Sequence, residues 1–225
     1  MKLTFRDLYV HVFLRFRRRR MQRFFAMFAP HPETQVLDIG GTPHTWNSES
    51  DTSQSGGRPE FPVTLINIRS IGPMNHHRFT FLQGDATRLP FADNTFDIAF
   101  SNSVIEHVGN WEQQQAFARE ARRVARSLWI QTPARSFPIE AHLLAPYIQY
   151  LPKRVQHRLA PWTPRGLLQP EVIHEIVDEV RLLSYREFRH LFPDCRILRE
   201  RLFGLTKSYV AVREAALTPW PTTAP

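Results

Sequence analysis

"VLDIGGTPHTW", Val36 to Trp46, is an apolar run that ends in Asp38 and a Gly40–Gly41 pair. The residues before the glycines read as a buried strand, and the glycines mark a turn at which backbone must come close to a neighbour. A strand running into such a turn is the start of a nucleotide-site loop in an open α/β sheet. Pro43 and His44 stand where further glycines would be expected.

Working outward, four more segments read as buried strands. They are "PVTLINI" (Pro62 to Ile68), "FTFLQGD" (Phe79 to Asp85), "FDIAFSNS" (Phe96 to Ser103) and "SLWIQTP" (Ser127 to Pro133). Their near-continuous apolarity fits strands covered on both faces, as in a parallel sheet. "NWEQQQAFAREARRVARS" reads as a helix with Asn110 as N-cap, Gln113 three residues on, and Phe117, Ala121 and Val124 as its buried stripe. "PEVIHEIVDEVRLLS" and "YREFRHLF" read as helices, and "CRILRERLFG" and "SYVAVRE" as a terminal antiparallel pair. Alternating strands and helices give an α/β class: a doubly wound, Rossmann-like, mostly parallel sheet with a terminal antiparallel strand.

Three nucleotide loops can be compared by their chemistry. A P-loop needs a Lys and a Ser/Thr after its glycines, and "GGTPHTW" has no such Lys. A dinucleotide loop needs G-x-G-x-x-G, and Pro43 removes an amide donor where a pyrophosphate would want one. A cofactor without phosphates needs only an amino acid and a ribose to lie against the backbone, for which two glycines suffice. "GDATRLPFADNTFDIAFSNSVIEHV", Gly84 to Val108, sharpens the choice: Asp85 follows one strand and Phe96–Asp97 opens the next. With "VLDIGGT", this stretch resembles the class I S-adenosylmethionine-dependent methyltransferases, over roughly residues 34 to 133.

The resemblance implies a site, residue by residue. Asp38 would fix the loop and orient water near the methionine amino group, with Gly40 and Gly41 admitting the cofactor to the backbone. Asp85 would accept from the adenine amino group, and Ala86 would give a backbone contact to the ring. Ser101 and Asn102 would lie beneath the methionine portion. The second strand of this family ends in an acid that binds the ribose hydroxyls, but here Asn67 stands there. Losing that charge-assisted bond costs about 1 kcal/mol or somewhat more. His107, in "VIEHV", sits at the site's mouth, packing structurally or facing substrate.

Ser136 to Gly166 reads as an inserted helical cap following the fifth strand, where such folds build substrate pockets. Its Glu140 and His142 are candidates to orient or deprotonate a small-molecule acceptor, and "LLAPYIQYLP" suggests an apolar or ring-bearing one. The only other histidine of the cap is His157, so its donors fall short of a metal site and none is expected. The expected division is a basic amphipathic helical arm over 1–30, a methyltransferase domain over 31–215 with the cap at 136–166, and a disordered tail over 216–225. The polar segment 47–60 reads as a mobile loop in place of the first crossover helix.

The 225 residues, 42% hydrophobic, are enough for one sizeable core. A lone cysteine, Cys195, excludes an intramolecular disulfide framework and any multi-cysteine zinc site, and suits a reducing, cytoplasmic setting. Much of the net charge of +8 sits in "RFRRRRMQR", Arg15 to Arg23. Phe5, Leu8, Tyr9, Val12 and Phe16, then Met21, Phe24, Phe25 and Phe28, recur at helical steps between these arginines, up to Pro30 and Pro32. Such a helix either packs on the domain with its guanidiniums solvated or meets an anionic membrane surface. Nucleic acid is disfavoured as a partner, because the rest of the chain is not basic. Two further readings stay open at this point: a nucleic-acid methyltransferase using the arm, and a methyltransferase-like interaction module that has lost catalysis.

Overall fold

The computed structural model describes residues 5–46, 61–69 and 78–215. The polar segment 47–60 and the tail 216–225 lie outside them. The chain opens with one long helix, α1 (Phe5–Phe28), followed by β1 (Val36–Ile39), β2 (Val63–Asn67), β3 (Phe79–Gln83) and β4 (Phe96–Asn102). Helix α2 (Trp111–Val124) runs without a loop into β5 (Ala125–Pro133), which begins two residues earlier than its sequence pattern suggests. The chain closes with α6 (Tyr185–Leu191) and the hairpin β8 (Arg196–Leu202) and β9 (Leu205–Arg213). Reciprocal capping explains where two helices start: Asn110 with Gln113 at α2, and Ser184 with Glu187 at α6.

Among the described residues, seven strands form one sheet in the order β3-β2-β1-β4-β5-β9-β8. β1 pairs parallel with both β2 and β4, so the chain departs to opposite sides of β1. That reversal opens a crevice beyond the carboxyl ends of the strands. β9 runs antiparallel to β5 and to β8. One face of the sheet is covered by α2 and α6, through Phe117, Ala121, Val124 and Phe188.

The other face is covered by α1. Met21, Phe24 and Phe28 are buried against Val36, Phe100 and Trp129. The ring of Phe24 meets Phe100, Trp129 and Trp46 edge-on, with centroids 5.3, 5.8 and 5.8 Å away. The helix is therefore a layer of the domain over its last turns, while Arg15, Arg18, Arg19 and Arg23 remain exposed.

Arg20 is the exception in the arginine run, at 5% exposure. Its Nε and Nη2 donate to the two carboxylate oxygens of Glu200 on β8, at 3.2 and 2.6 Å. Nη1 donates to Asn102 Oδ1 and, at 3.0 Å, to Gln131 Oε1. One guanidinium thus ties α1 to β4, β5 and β8.

The segment after β5 forms a cap: a small ribbon of β6 (Ile139–Glu140) and β7 (Ala145–Pro146), then α3 (Lys153–Leu159), α4 (Pro164–Leu168) and α5 (Ile173–Glu179). It has its own core of Leu143, Ala145, Ile148, Ala160, Ile173 and Val177. That core reaches beyond Gly166, because α5 packs on the cap rather than on the sheet. Lys153 locks this arrangement, its Nζ donating to the carbonyls of Val177 and Val180.

Arg20→Ala should lower the unfolding free energy by about 3–5 kcal/mol, because Glu200 is left buried without its partner. Arg19→Ala, one exposed position away, should change it by less than about 0.5 kcal/mol. Denaturant unfolding of the two variants reads the difference, and equal effects would contradict the clamp.

Candidate functional site

The turn after β1 is shaped around Asp38. This residue is 1% exposed; its Oδ2 accepts from Trp46 Nε1 at 2.8 Å, and its Oδ1 is buried with no partner. Burial pushes its carboxyl up to about 7, against the opposing pull of Trp46 and the nearby Arg17 charge. A side chain at Gly41 would lie 1.8 Å from Asp38 Oδ2, so only glycine lets the chain curl over the carboxylate. Gly40 has φ +75°, and a Cβ there would strike Val104 Cγ2 at 2.6 Å. Both glycines are needed for close approach rather than for a phosphate.

Beyond the strand ends lies a cavity of about 310 Å³, lined among others by Gly40, Asn67, Asp85, Ala86, Val104 and His107. None of its described lining residues is a lysine or arginine. The Gly40 amide is already spent on the Ile66 carbonyl at 2.7 Å. The described lining of the cavity therefore lacks the cations that a phosphate needs. At the end of β2, Asn67 Nδ2 donates to the Gly40 carbonyl at 3.3 Å, and Oδ1 accepts from the Arg69 amide at 3.3 Å. Asn67 thus braces the first loop as well as lining the cavity. Asp85 is exposed, and its Oδ1 accepts from the amide and hydroxyl of Thr87, both at 2.8 Å. That is a turn-stabilising contact, and it uses one of the two carboxylate oxygens.

Ser101 and Asn102 do not line this cavity. Ser101 is fully buried and donates to the Ile39 carbonyl at 2.9 Å, latching β4 to β1. Asn102 accepts from Arg20 on the α1 side. The wall is formed instead by Ser103 and Val104, because the chain turns at Ser103, which has φ 58°. Gln131 holds that left-handed serine from two sides: Ser103 donates its amide to the Gln131 carbonyl at 3.1 Å and its hydroxyl to Oε1 at 2.9 Å. A non-glycine residue so held at a cavity wall stores of the order of 1 kcal/mol of strain.

The three candidate catalytic residues do converge. The imidazoles of His107 and His142 meet edge to face, with centroids 4.8 Å apart. His107 lines the first cavity; His142 and Glu140 line a second, of about 210 Å³, under the cap. Glu140 is 3% exposed and organises this end of the cap. Its Oε1 lies 2.7 Å from His142 Nδ1, and its Oε2 accepts from the amides of His142 and Leu143 at 2.9 and 2.5 Å. Burial opposes charge on both partners, but their mutual hydrogen bond and attraction prevail, holding Glu140 below and His142 above their ordinary values. Burial and the His142 charge pull His107 the other way, below the ordinary histidine value. The lining of the second cavity combines charged residues, Arg135 and Lys153 among them, with apolar ones such as Leu143, Ile176 and Val177. Of the cap's stretch "LLAPYIQYLP", Leu143 lines this cavity, whereas Tyr147, Tyr150 and Leu151 are exposed and are not among its lining residues.

Glu106 is a site residue that spacing arguments miss. It is fully buried, its Oε2 accepts from Thr132 Oγ1 at 3.0 Å, and its Oε1 has no partner. Burial raises its carboxyl, against the charge of His142. The available signal was a carboxylate set inside the apolar run Val104–Ile105 and Val108. Counting donors within the cap alone also undercounts what folding assembles: Glu106, His107 and His142 bring three ligand-capable atoms within 4.8 Å of one another.

Residues 64–128 match the family model described as a methyltransferase domain. No curated protein matches the chain. Among solved structures, magnesium protoporphyrin IX methyltransferase (ChlM) from Synechocystis PCC 6803, with bound SAH, is similar at a TM-score of 0.51 and 14% identity. The match covers 95% of this chain and 90% of that one. The YcgJ protein from Bacillus subtilis is similar at a TM-score of 0.50 and 18% identity, over 82% and 71% of the two chains. At such identities the likeness is one of fold.

Asp38 makes the pH dependence of stability testable. Its folded value of about 7 lies above the ordinary 3.8, so its contribution is fully present below about pH 4 and is lost as pH rises to about 7. Within that window each pH unit costs about 1.4 kcal/mol. Asp38→Asn, which still accepts from Trp46, should remove this slope, so that the variant gains on the native chain between pH 4 and 8. Denaturation midpoints that shift in parallel for the two proteins would contradict the buried, unpaired carboxyl.

Proposed function

We propose, from the premise that this chain carries a class I S-adenosylmethionine-dependent methyltransferase domain, that it methylates a small polar molecule held under the cap. The observation that carries this reading is the shared wall: His107 and His142 are in ring contact, one facing each cavity. A donor and an acceptor seated on either side of that wall would meet there, which is what an in-line displacement requires.

The first cavity suits this cofactor on two grounds. Its volume of about 310 Å³ is that of a small-molecule site, and its lining carries none of the cations that a phosphate would call for. Gly40, Asn67, Asp85 and Ala86 are the residues that would hold it. Bound there, S-adenosylmethionine would supply an activated methyl group on sulfur.

The chain's own part is alignment and proton handling. Asp85 has a carboxylate oxygen left over from its Thr87 turn to accept from an amino group. Asn67 meets the ribose hydroxyls without charge, at the cost in affinity given above. Glu140 fixes the orientation and tautomer of His142 through Nδ1, which leaves Nε2 for the acceptor. Arg135 and Lys153 in the lining favour an acceptor that carries polar groups, while Leu143 and Val177 beside them suit an apolar portion of it. A nucleic-acid substrate is not favoured, because the arginine run lies in a helix whose Met21, Phe24 and Phe28 are built into the core and whose Arg20 is spent on Glu200.

Calorimetry with S-adenosylhomocysteine tests the reading. The native chain should bind it, and Asp85→Ala should weaken binding by about 10- to 150-fold, the loss of one hydrogen bond to a charged group. Gly40→Ala should abolish it, since the Cβ collides with Val104. No binding at millimolar ligand would instead favour an interaction module without catalysis.

A further inference from the structure

We propose that Glu106, His107 and His142 form a binding site for a divalent transition-metal ion of the zinc type, at the wall between the two cavities. Two imidazoles and one carboxylate are a donor set that such ions take, and their ligand-capable atoms lie within 4.8 Å of one another. Ligands on a tetrahedral zinc sit roughly 3.3 Å apart, so atoms now up to 4.8 Å apart must draw together by up to about 1.5 Å. Glu140 holds His142 and Thr132 holds Glu106, so the movement falls to His107, which packs edge to face on His142.

Two independent features point to a ligand rather than to a chance cluster. The first is Glu106 Oε1. It belongs to a residue of 0% exposure and has no hydrogen-bond partner. A buried carboxylate oxygen without a partner is costly, and a bound cation resolves the cost. Thr132 holds the other oxygen and so fixes the direction of the carboxylate. The second is the shell behind His142. Glu140 engages Nδ1 at 2.7 Å, leaving Nε2 to ligate. A carboxylate behind a histidine is the support that orients metal-bound imidazoles and raises their basicity.

Three protein ligands leave the fourth position open. Because His107 faces one cavity and His142 the other, that position opens where the two meet. An oxygen-bearing acceptor could occupy it, its proton made more acidic by the ion. This role rests on the acceptor reading above; the binding of the ion does not.

The test uses the full chain, stripped with chelator, and zinc chloride as the probe. Calorimetry should show one tight site, and the same sample titrated with Co²⁺ should give the visible absorption of a tetrahedral ion. Glu106→Gln and His107→Ala should each abolish the tight site, and Glu140→Gln should weaken it by about 10- to 100-fold. Zinc should also raise the melting temperature of the native chain but not of Glu106→Gln, which checks that the variant is folded. The rival is the exposed pair His157 and His174 beside Asp178, with ring nitrogens 3.0 Å apart. Binding that survives His107→Ala and disappears in the His157→Ala, His174→Ala double variant would overturn the proposal, as would no binding at all. S-adenosylhomocysteine titrated into the same samples separates the two claims. Zinc without cofactor binding would sink the methyltransferase reading alone, and cofactor without zinc binding the metal site alone.

Discussion

One buried guanidinium connects the beginning of the chain to its functional end. Arg20 is fixed by the bidentate Glu200 and reaches Asn102 and Gln131 with its remaining donor. Gln131 in turn holds the left-handed Ser103, a wall residue of the larger cavity. The helix that covers one face of the sheet and the turn that shapes the site therefore share a single hydrogen-bonded network. Buried charges are tolerated when paired and fully engaged, and every donor that Arg20 turns inward has an acceptor. Ser208 adds its hydroxyl to Glu200 from β9, closing the network on the antiparallel side.

The architecture was legible because its strands are long apolar runs ending in turn residues. Val36–Ile39 and Phe96–Asn102 could hardly be anything but central strands, and the Asn110–Gln113 pair marks its helix by chemistry alone. The fate of the arginine run was harder to read. Arg20 lies one step before the Met21–Phe24–Phe28 stripe and four residues before Phe24, so helical spacing put it at the edge of the buried face. Nothing local distinguishes it from Arg19, because its partner Glu200 is 180 residues away.

The site was legible at its strand ends and blurred where the chain changes direction. Gly40, Asn67, Asp85 and Ala86 line the cavity beyond the strand ends, whereas Asp38 and Gly41 are not among its described lining residues. Ser101 and Asn102 do not, since the left-handed turn at Ser103 hands the wall to the next two residues. Strand alternation cannot reveal such a turn in advance. In the cap, Glu140 and His142 were found by their closeness in sequence. Glu106 was not, because its significance depends on a contact with residues of the cap more than thirty positions on. The aromatic residues of the cap suggested an apolar pocket, yet Tyr147 adopts φ 57° and stands 60% exposed, and Tyr150 is exposed as well.

The two cavities meet at the His107–His142 contact, and the one of about 310 Å³ is the proposed seat of the cofactor. A crystal structure of the full chain with S-adenosylhomocysteine tests this directly. The adenine should lie beside Asp85 and Ala86, the ribose at Asn67, and the sulfur should point toward His107 and the cap. A ligand seated elsewhere, or one whose sulfur points away from the histidine wall, would contradict it.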